Sequence, residues 1–438
     1  MTKESQVSLF DMIVGLSETI DLVDPSLVNH HMQVAYIAYC IGEELGLPRK
    51  QKSELILAGS LHDIGFHHLR ERMNVLRFEV DSPHKHSELG YLFLNKFEPF
   101  SKIATLVRYH HVSWNRKDMT TAVEQQTLHG SSFYLMEEDQ VPLGSYVLHL
   151  ADRVAVLIDK KQEILVQVDT ICQKIKEQSG KLFMPKVVKA FLKIAAREYF
   201  WLEATVSSLD VVLSSKVKLP TLDLDTENLI SFSRFFSRIV DFRSPFSAAH
   251  SCGVAAVAEI LAKYAGFSKQ ECQWMKSAGY LHDIGKIVVP VEILEKTDKL
   301  TDEEFAIIRK HSFYTHRILK RIGAFKDIIW WASFHHERLS GDGYPFHAAE
   351  ENIPLGARVL AVANVFSALM EKQAYRNSLT EDKVLEVLKQ LSEGLALDSK
   401  MVSLLLLHFN EINSARIAAQ ETATKEYQKM EYILTHPE

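Results

Sequence analysis

Two stretches of the chain, AGSLHDIGF at residues 58–66 and AGYLHDIGK at 278–286, set a histidine beside an aspartate in apolar surroundings. Such side chains avoid a protein interior unless something there pairs with them. Neither pair stands alone. His62 follows His30 by 32 residues, and His282 follows His250 by 32. His110 follows His86 by 24, His335 follows His311 by 24, and a second histidine, His111 or His336, comes directly after. A lone histidine on an apolar helix face is ordinarily a core residue bonded to a carbonyl. Five imidazoles and an aspartate at matched spacing, twice over, need a stronger reason, because apolar residues would serve stability better. Metal ligation supplies it. Neutral imidazoles and carboxylates suit Fe, Mn, Ni or Zn, and a carboxylate reaches two ions through its two oxygens. Two ions roughly 3.5–4 Å apart activate a hydroxide and hold a phosphoryl group for in-line attack.

The elements that must position these residues are also written twice. VPLGSYVLHLADRVAVL (141–157) aligns with IPLGARVLAVANVFSAL (353–369), and GKLFMPKVV (180–188) with GLALDSKMV (394–402). The repeat covers about 30–192 and 250–406, too long for a solenoid unit, so it predicts two copies of one domain. We place the domains at 1–205 and 225–425, joined where SSLDVVLSSKVKLPTLDLD loses helical periodicity. Both copies read as helical. With 18 glycines and 12 prolines, breakers are scarce and sit at joints. Thr301 and Glu304 have capping-box spacing, and Ile308, His311, Thr315 and Ile318 then form one stripe. The expected fold is all-α, two helical domains in tandem.

Composition narrows the function. Apolar content of 47% and charged content of 24% describe an ordinary globular protein. A net charge of −6 gives no support to DNA as a partner. Cys40, Cys172, Cys252 and Cys272 lack any ligand spacing and read as free thiols in a reducing compartment. The longest apolar run, MVSLLLLHF at 401–409, is too short to span a bilayer. A cytoplasmic protein without a membrane partner is expected.

The His, His-Asp, Asp order resembles the HD phosphohydrolase superfamily. The second copy resembles its HD-GYP branch, the cyclic-dinucleotide phosphodiesterases, through HDIGKIVVP, LTDEEF, HHERLSGDGYP (335–345), IPLGARVLAVA and AYR (374–376), over about 245–405. The resemblance implies His250, His282 and Asp283 on one ion and His311, His335 and His336 on the other, with Asp283 bridging. It implies a catalytic role for Asp283 and Lys286, the lysine contacting the phosphate and assisting the leaving oxygen. Gly341, Gly343, Tyr344 and Pro345 would shape the base-side pocket, and Arg376 would be a further anion contact. From the residues alone, the glycines also read as turn formers, Tyr344 as core cover and Arg376 as a surface cation. The implied reaction is hydrolysis of cyclic di-GMP or 3′,3′-cyclic GMP-AMP to a linear 5′-phosphorylated dinucleotide, by a hydroxide activated between two divalent transition metals, Fe, Mn or Ni.

Each copy departs from that pattern. Where the family places a ligand Asp, the second copy has Asn364, which brings an oxygen but no charge. Phe246 stands where some members carry a Glu for a third metal, and Gln373 where an Arg is usual. The first copy keeps a complete set, His30, His62, Asp63, His86, His110, His111 and Asp152, which makes it a candidate additional metal site. Yet Phe66 replaces the lysine, and no GYP loop follows His111. Two other readings stay open: a nucleotide phosphomonoesterase of the 5′-nucleotidase kind working through the first copy, and a non-catalytic nucleotide sensor. The first copy occupies the place of a regulatory domain, which suits a homodimer or a regulatory partner.

Overall fold

The computed structural model describes residues 6–21, 28–66, 84–115, 141–217, 221–223, 225–245, 247–322, 326–372 and 377–436. Phe246, Gln373 and Arg376 lie outside these residues, as does the stretch 116–140 after the first histidine pair. The chain divides into two compact units, Ser8–Thr221 with Lys429–Glu438, and Met1–Val7 with Leu222–Gln428.

In the first unit, helices Leu9–Asp21, His30–Glu44, Arg49–Leu61, His84–Leu94, Ser101–Arg108 and Leu143–Leu157 carry or flank the repeated residues. Their counterparts in the second are Thr226–Asp241, His250–Tyr264, Lys269–Leu281, Asp302–Ile322, Lys326–Ser333 and Leu355–Met370. Helices His30–Glu44 and His250–Tyr264 both run 15 residues, and Arg49–Leu61 and Lys269–Leu281 both run 13, so the duplication is structural. Among the described residues the departures from helix and loop are a small sheet pairing Gln6–Ser8 with Thr221–Asp223 and an isolated bridge between Ser179 and Phe183. No described helix is long and apolar enough to cross a membrane.

Local chemistry explains the boundaries. The expected capping box forms: the Glu304 amide donates to Thr301 Oγ1 (3.2 Å) and the Thr301 amide to Glu304 Oε2 (2.8 Å). Ser268 and Glu271 make a second one. Leu143–Leu157 and Leu355–Met370 each start after a proline, Pro142 or Pro354, at a position whose amide needs no helical partner. The core of the second unit is helix His250–Tyr264, which packs against Lys269–Leu281 and Leu355–Met370. Its Val254, Val257, Ala258 and Leu261 are fully buried. Each valine- or leucine-sized side chain contributes about 1.5–3 kcal/mol on burial. That apolar surround offsets the cost of enclosing imidazoles and carboxylates at the helix ends.

Candidate metal centre

His282 and Asp283 leave the end of helix Lys269–Leu281 in one turn, His250 opens its own helix, and His311 lies mid-helix on the buried face of Asp302–Ile322. His335 and His336 follow helix Lys326–Ser333. The structure brings all six together. Ligand atoms of His250, His282 and Asp283 lie within 4.8 Å of one another, as do those of His311, His335 and His336. Asp283 stands between the groups. Its Oδ2 is 3.1 Å from His282 Nε2 and 3.8 Å from His250 Nε2. Its Oδ1 is 3.4 Å from His311 Nε2 and 3.9 Å from His335 Nε2. Asn364 turns its Oδ1 to 3.1 Å from His250 Nε2.

Four of the rings are oriented from behind. The Nδ1 atoms of His282, His311 and His335 face the carbonyls of Gly279, Ile308 and Ala332 at 2.7, 2.7 and 2.6 Å. Such a bond puts the proton on Nδ1 and turns the Nε2 lone pair inward. His250 Nδ1 faces a carboxylate instead, Glu371 Oε2 at 2.7 Å. Burial pushes His311 down to about 4, and pushes His335 and His336 well below the usual histidine range. Burial opposes charge on His250 too, but Glu371 and Asp283 outweigh it and hold this imidazole up at about 9. Burial also works against the charge on Asp283; His282 and Lys286 overcome it and keep the carboxyl well below its ordinary value.

A divalent ion fits this donor set. His282 Nε2 and Asp283 Oδ1 are buried and have no hydrogen-bond partner among the described residues. Orphaned atoms of that kind are costly unless a ligand completes them. The first unit repeats the arrangement: His62 Nε2, Asp63 Oδ1, His110 Nε2 and Asp152 Oδ1 are buried with no hydrogen-bond partner among the described residues. Asp63 lies 4.0 and 3.2 Å from His30 and His62 through Oδ2, and 3.6 and 3.9 Å from His86 and His110 through Oδ1. His111 Nε2 is 3.1 Å from His86 Nε2. Asp152 Oδ1 is 3.4 Å from His30 Nε2, while its other oxygen accepts from Arg153 at 2.5 Å.

The two centres differ at their rims. In the second, Lys286 Nζ donates to Asp283 Oδ2 at 2.7 Å. In the first, Phe66 stacks on His86 with ring centroids 3.9 Å apart. The loop after His336 is held tightly. Gly341 has φ +83, and a Cβ on Gly343 would lie 2.5 Å from Glu337 Cα. Both glycines therefore have the backbone reason that a turn former needs. Tyr344 stacks on His336 (4.8 Å, 28°) with the Arg309 guanidinium 4.8 Å from its ring centre, so it faces the histidines rather than covering the core. Pro345 follows through a cis peptide bond.

The positioning roles of four residues escaped the sequence reading. Arg243 donates to the carbonyls of Lys286 and Ile287 (2.9 Å each) and Val289 (3.1 Å), clasping the turn that carries the lysine. Thr315 Oγ1 donates to the His282 carbonyl (2.9 Å) and accepts from the Gly285 amide (3.1 Å). Buried Glu337 accepts from the amides of Phe346 (2.7 Å) and Ala348 (2.9 Å). Glu371 is the fourth. Only Glu337, directly after the histidine pair, carried a readable signal.

Known proteins resemble the chain in both halves. Residues 234–401 and residues 27–157 each match the HD domain family. Over 423 residues the chain is 25% identical to the 3′3′-cGAMP-specific phosphodiesterase 1 of Vibrio cholerae serotype O1, covering 96% of each. Over 210 residues it is 32% identical to the cyclic di-GMP phosphodiesterase response regulator RpfG of Xanthomonas campestris, covering 44% of this chain and 54% of that protein. The crystal structure of the cyclic GMP-AMP specific phosphodiesterase V-cGAP3 of V. cholerae superposes with a TM-score of 0.62 at 21% identity, over 93% of this chain and 98% of that one. At that identity the likeness speaks for the fold.

Proposed function

The chain belongs to the HD-domain proteins, carrying two such domains in tandem, and from that premise we propose that it is a metal-dependent phosphodiesterase that opens a cyclic dinucleotide in its C-terminal domain. One observation carries the assignment: a single buried carboxylate, Asp283, faces two histidine groups and meets a lysine at its rim.

His250, His282 and Asn364 would hold one ion and His311, His335 and His336 the other, with Asp283 facing both groups. When bound, the pair supplies Lewis acidity at the phosphoryl oxygens and a nucleophile at neutral pH; imidazole-rich ligands suit Fe, Mn or Ni. The protein does the rest. Backbone carbonyls fix the tautomers of His282, His311 and His335, and Glu371 that of His250, so these Nε2 atoms stay presented inward. Lys286, clasped by Arg243, meets the phosphate and gives a proton to the departing 3′ oxygen. A water oxygen becomes bonded to phosphorus and its proton passes to solvent, which later restores Lys286; the bond to the 3′ oxygen breaks, and a linear dinucleotide with a 5′ phosphate results. Tyr344 and Arg309 offer a base a stacking face, and Gly341, Gly343 and Pro345 give the loop its shape. The relative that matches along nearly the whole chain is named for 3′3′-cGAMP, which makes that compound the first substrate to try and cyclic di-GMP the second. The N-terminal domain would hold an ion of its own but, with Phe66 in the lysine position, would not open the ring.

Product chromatography on both cyclic dinucleotides tests this with Mn²⁺- or Fe²⁺-loaded protein. Asp283→Ala should abolish ring opening and Asp63→Ala should spare it. The reverse pattern would assign the chemistry to the wrong domain. A wild-type protein that binds but does not cleave would be a sensor, and phosphate release lost only in Asp63→Ala would reveal a phosphomonoesterase in the first domain.

A further inference from the structure

The two domains serve as each other's control at the ion held by the first histidine. In the N-terminal domain, Asp152 brings a carboxylate straight to that position, 3.4 Å from His30 Nε2. Seven residues on, Asp159 is exposed and accepts from the Lys161 amide (2.9 Å) and Gln162 Nε2 (2.7 Å). In the C-terminal domain both positions change. The ligand position is neutral Asn364, and seven residues on stands Glu371, its side chain 11% exposed and its Oε2 2.7 Å from His250 Nδ1. Glu371 is itself anchored: Oε1 accepts from Gln420 Nε2, Gln420 Oε1 accepts from Arg416 at 2.5 Å, and buried Arg416 also donates to Asn413 (2.9–3.0 Å). Among the described residues, His282, His311 and His335 have backbone carbonyls at Nδ1 in place of a carboxylate.

We propose that Glu371 is a positioning residue that returns, from behind His250, the negative charge this ion's ligands lack at Asn364. A carboxylate at Nδ1 fixes the tautomer, aims Nε2 at the ion and makes the imidazole a stronger donor. The carboxylate has moved from the ligand itself to the ligand's support. This rests on the two-ion reading of the centre.

The test is Mn²⁺ binding by anaerobic calorimetry at about pH 9, where protons no longer compete strongly for the imidazoles, to the full, chelator-stripped chain with no substrate present. Glu371→Gln keeps the shape and removes the charge. It should weaken one of the C-terminal domain's two sites by about 10–100-fold, the usual cost of losing such support, and leave the other unchanged. Adding Asn364→Asp to Glu371→Gln should restore most of the loss, which a merely structural residue would not allow. Glu371→Asp, which keeps the charge, should fall between the two and serves if Glu371→Gln melts at a lower temperature without metal. Wild-type affinity in Glu371→Gln, equal weakening of both sites, or no rescue by Asn364→Asp overturns the proposal alone. If the wild-type C-terminal domain takes up fewer than two ions, the two-ion reading falls and this inference with it.

Discussion

Gly285 follows the His282-Asp283 pair, and a methyl group placed on it would lie 2.0 Å from the His311 carbonyl oxygen and 2.6 Å from the Thr315 amide nitrogen. Both are backbone atoms and cannot swing aside. Ordinary contact begins at 3.4 Å, so Gly285→Ala must drive the turn off helix Asp302–Ile322 by the difference, about 1.4 Å. Across that seam Asp283 Oδ1 and His311 Nε2 stand 3.4 Å apart. Metal–ligand bonds of about 2.0–2.2 Å place two ligands of one ion no more than about 4.4 Å apart. A shift directed along the pair carries it past that limit, so the ion on the His311 side loses Asp283. Overpacking of this kind costs about 1–3 kcal/mol, a fall in melting temperature of roughly 2–12 °C for a unit of this size. Catalytic misplacement by about 1 Å costs about 10²-fold in rate. Metal content by mass spectrometry, thermal melting and ring-opening rate read the three consequences together. Gly65→Ala is the control: its added methyl meets the His86 carbonyl oxygen at 2.0 Å and the Gly90 amide at 2.6 Å, so it should cost similar stability and spare ring opening. A Gly285→Ala protein that retains both ions and turns over within twofold of wild type would refute the bridging geometry.

Three further expectations follow from the same centre. Lys286→Met should cut turnover by about 10²-fold, the scale of one lost transition-state donor, with both ions retained in metal analysis. A chelator should lower the melting temperature by about 10 °C, since an ion at a thousand times its Kd stabilises by about 4 kcal/mol. Mn²⁺ affinity should rise with pH up to about 9, because His250 must shed a proton before it can bind, whereas His311, held near 4, adds no dependence above pH 5. Calorimetry in buffers of different ionisation enthalpy should find about two protons released per protein at pH 7, one from His250 and one from His62, whose charge burial opposes but Asp63 and Asp152 hold up to about 9; affinity that is flat from pH 6 to 9 would contradict this.

Spacing made the duplication and the ligand clusters legible because helices turn a fixed interval into a fixed direction. The 32-residue step from His250 to His282 survives folding as two ends of packed helices meeting at one point. The Thr301–Glu304 cap was readable because both partners lie within one turn. Arg243 was not, since its three carbonyl partners lie 43–46 residues away and any surface arginine looks the same in a string of letters. Glu371 was hidden for a related reason. Its meaning depends on His250, 121 residues earlier, and on the charge missing at Asn364. Thr315 was read as one more position on a buried stripe, which it is; only the fold shows that its hydroxyl pins the His282 turn.

Glu337 has a consequence for how such a domain gains or loses its specificity. Its carboxylate grips the far side of the loop while the two residues before it are the clustered histidines His335 and His336, so the loop proposed to wall the nucleobase and the proposed metal cage are fastened to one segment. In the N-terminal domain the residue after the histidine pair is Val112, which offers no such grip. Grafting GDGYP alone into that domain would leave a tether with nothing to fasten it. The loop is portable only together with its acidic anchor, and a lineage that drops one has little reason to keep the other.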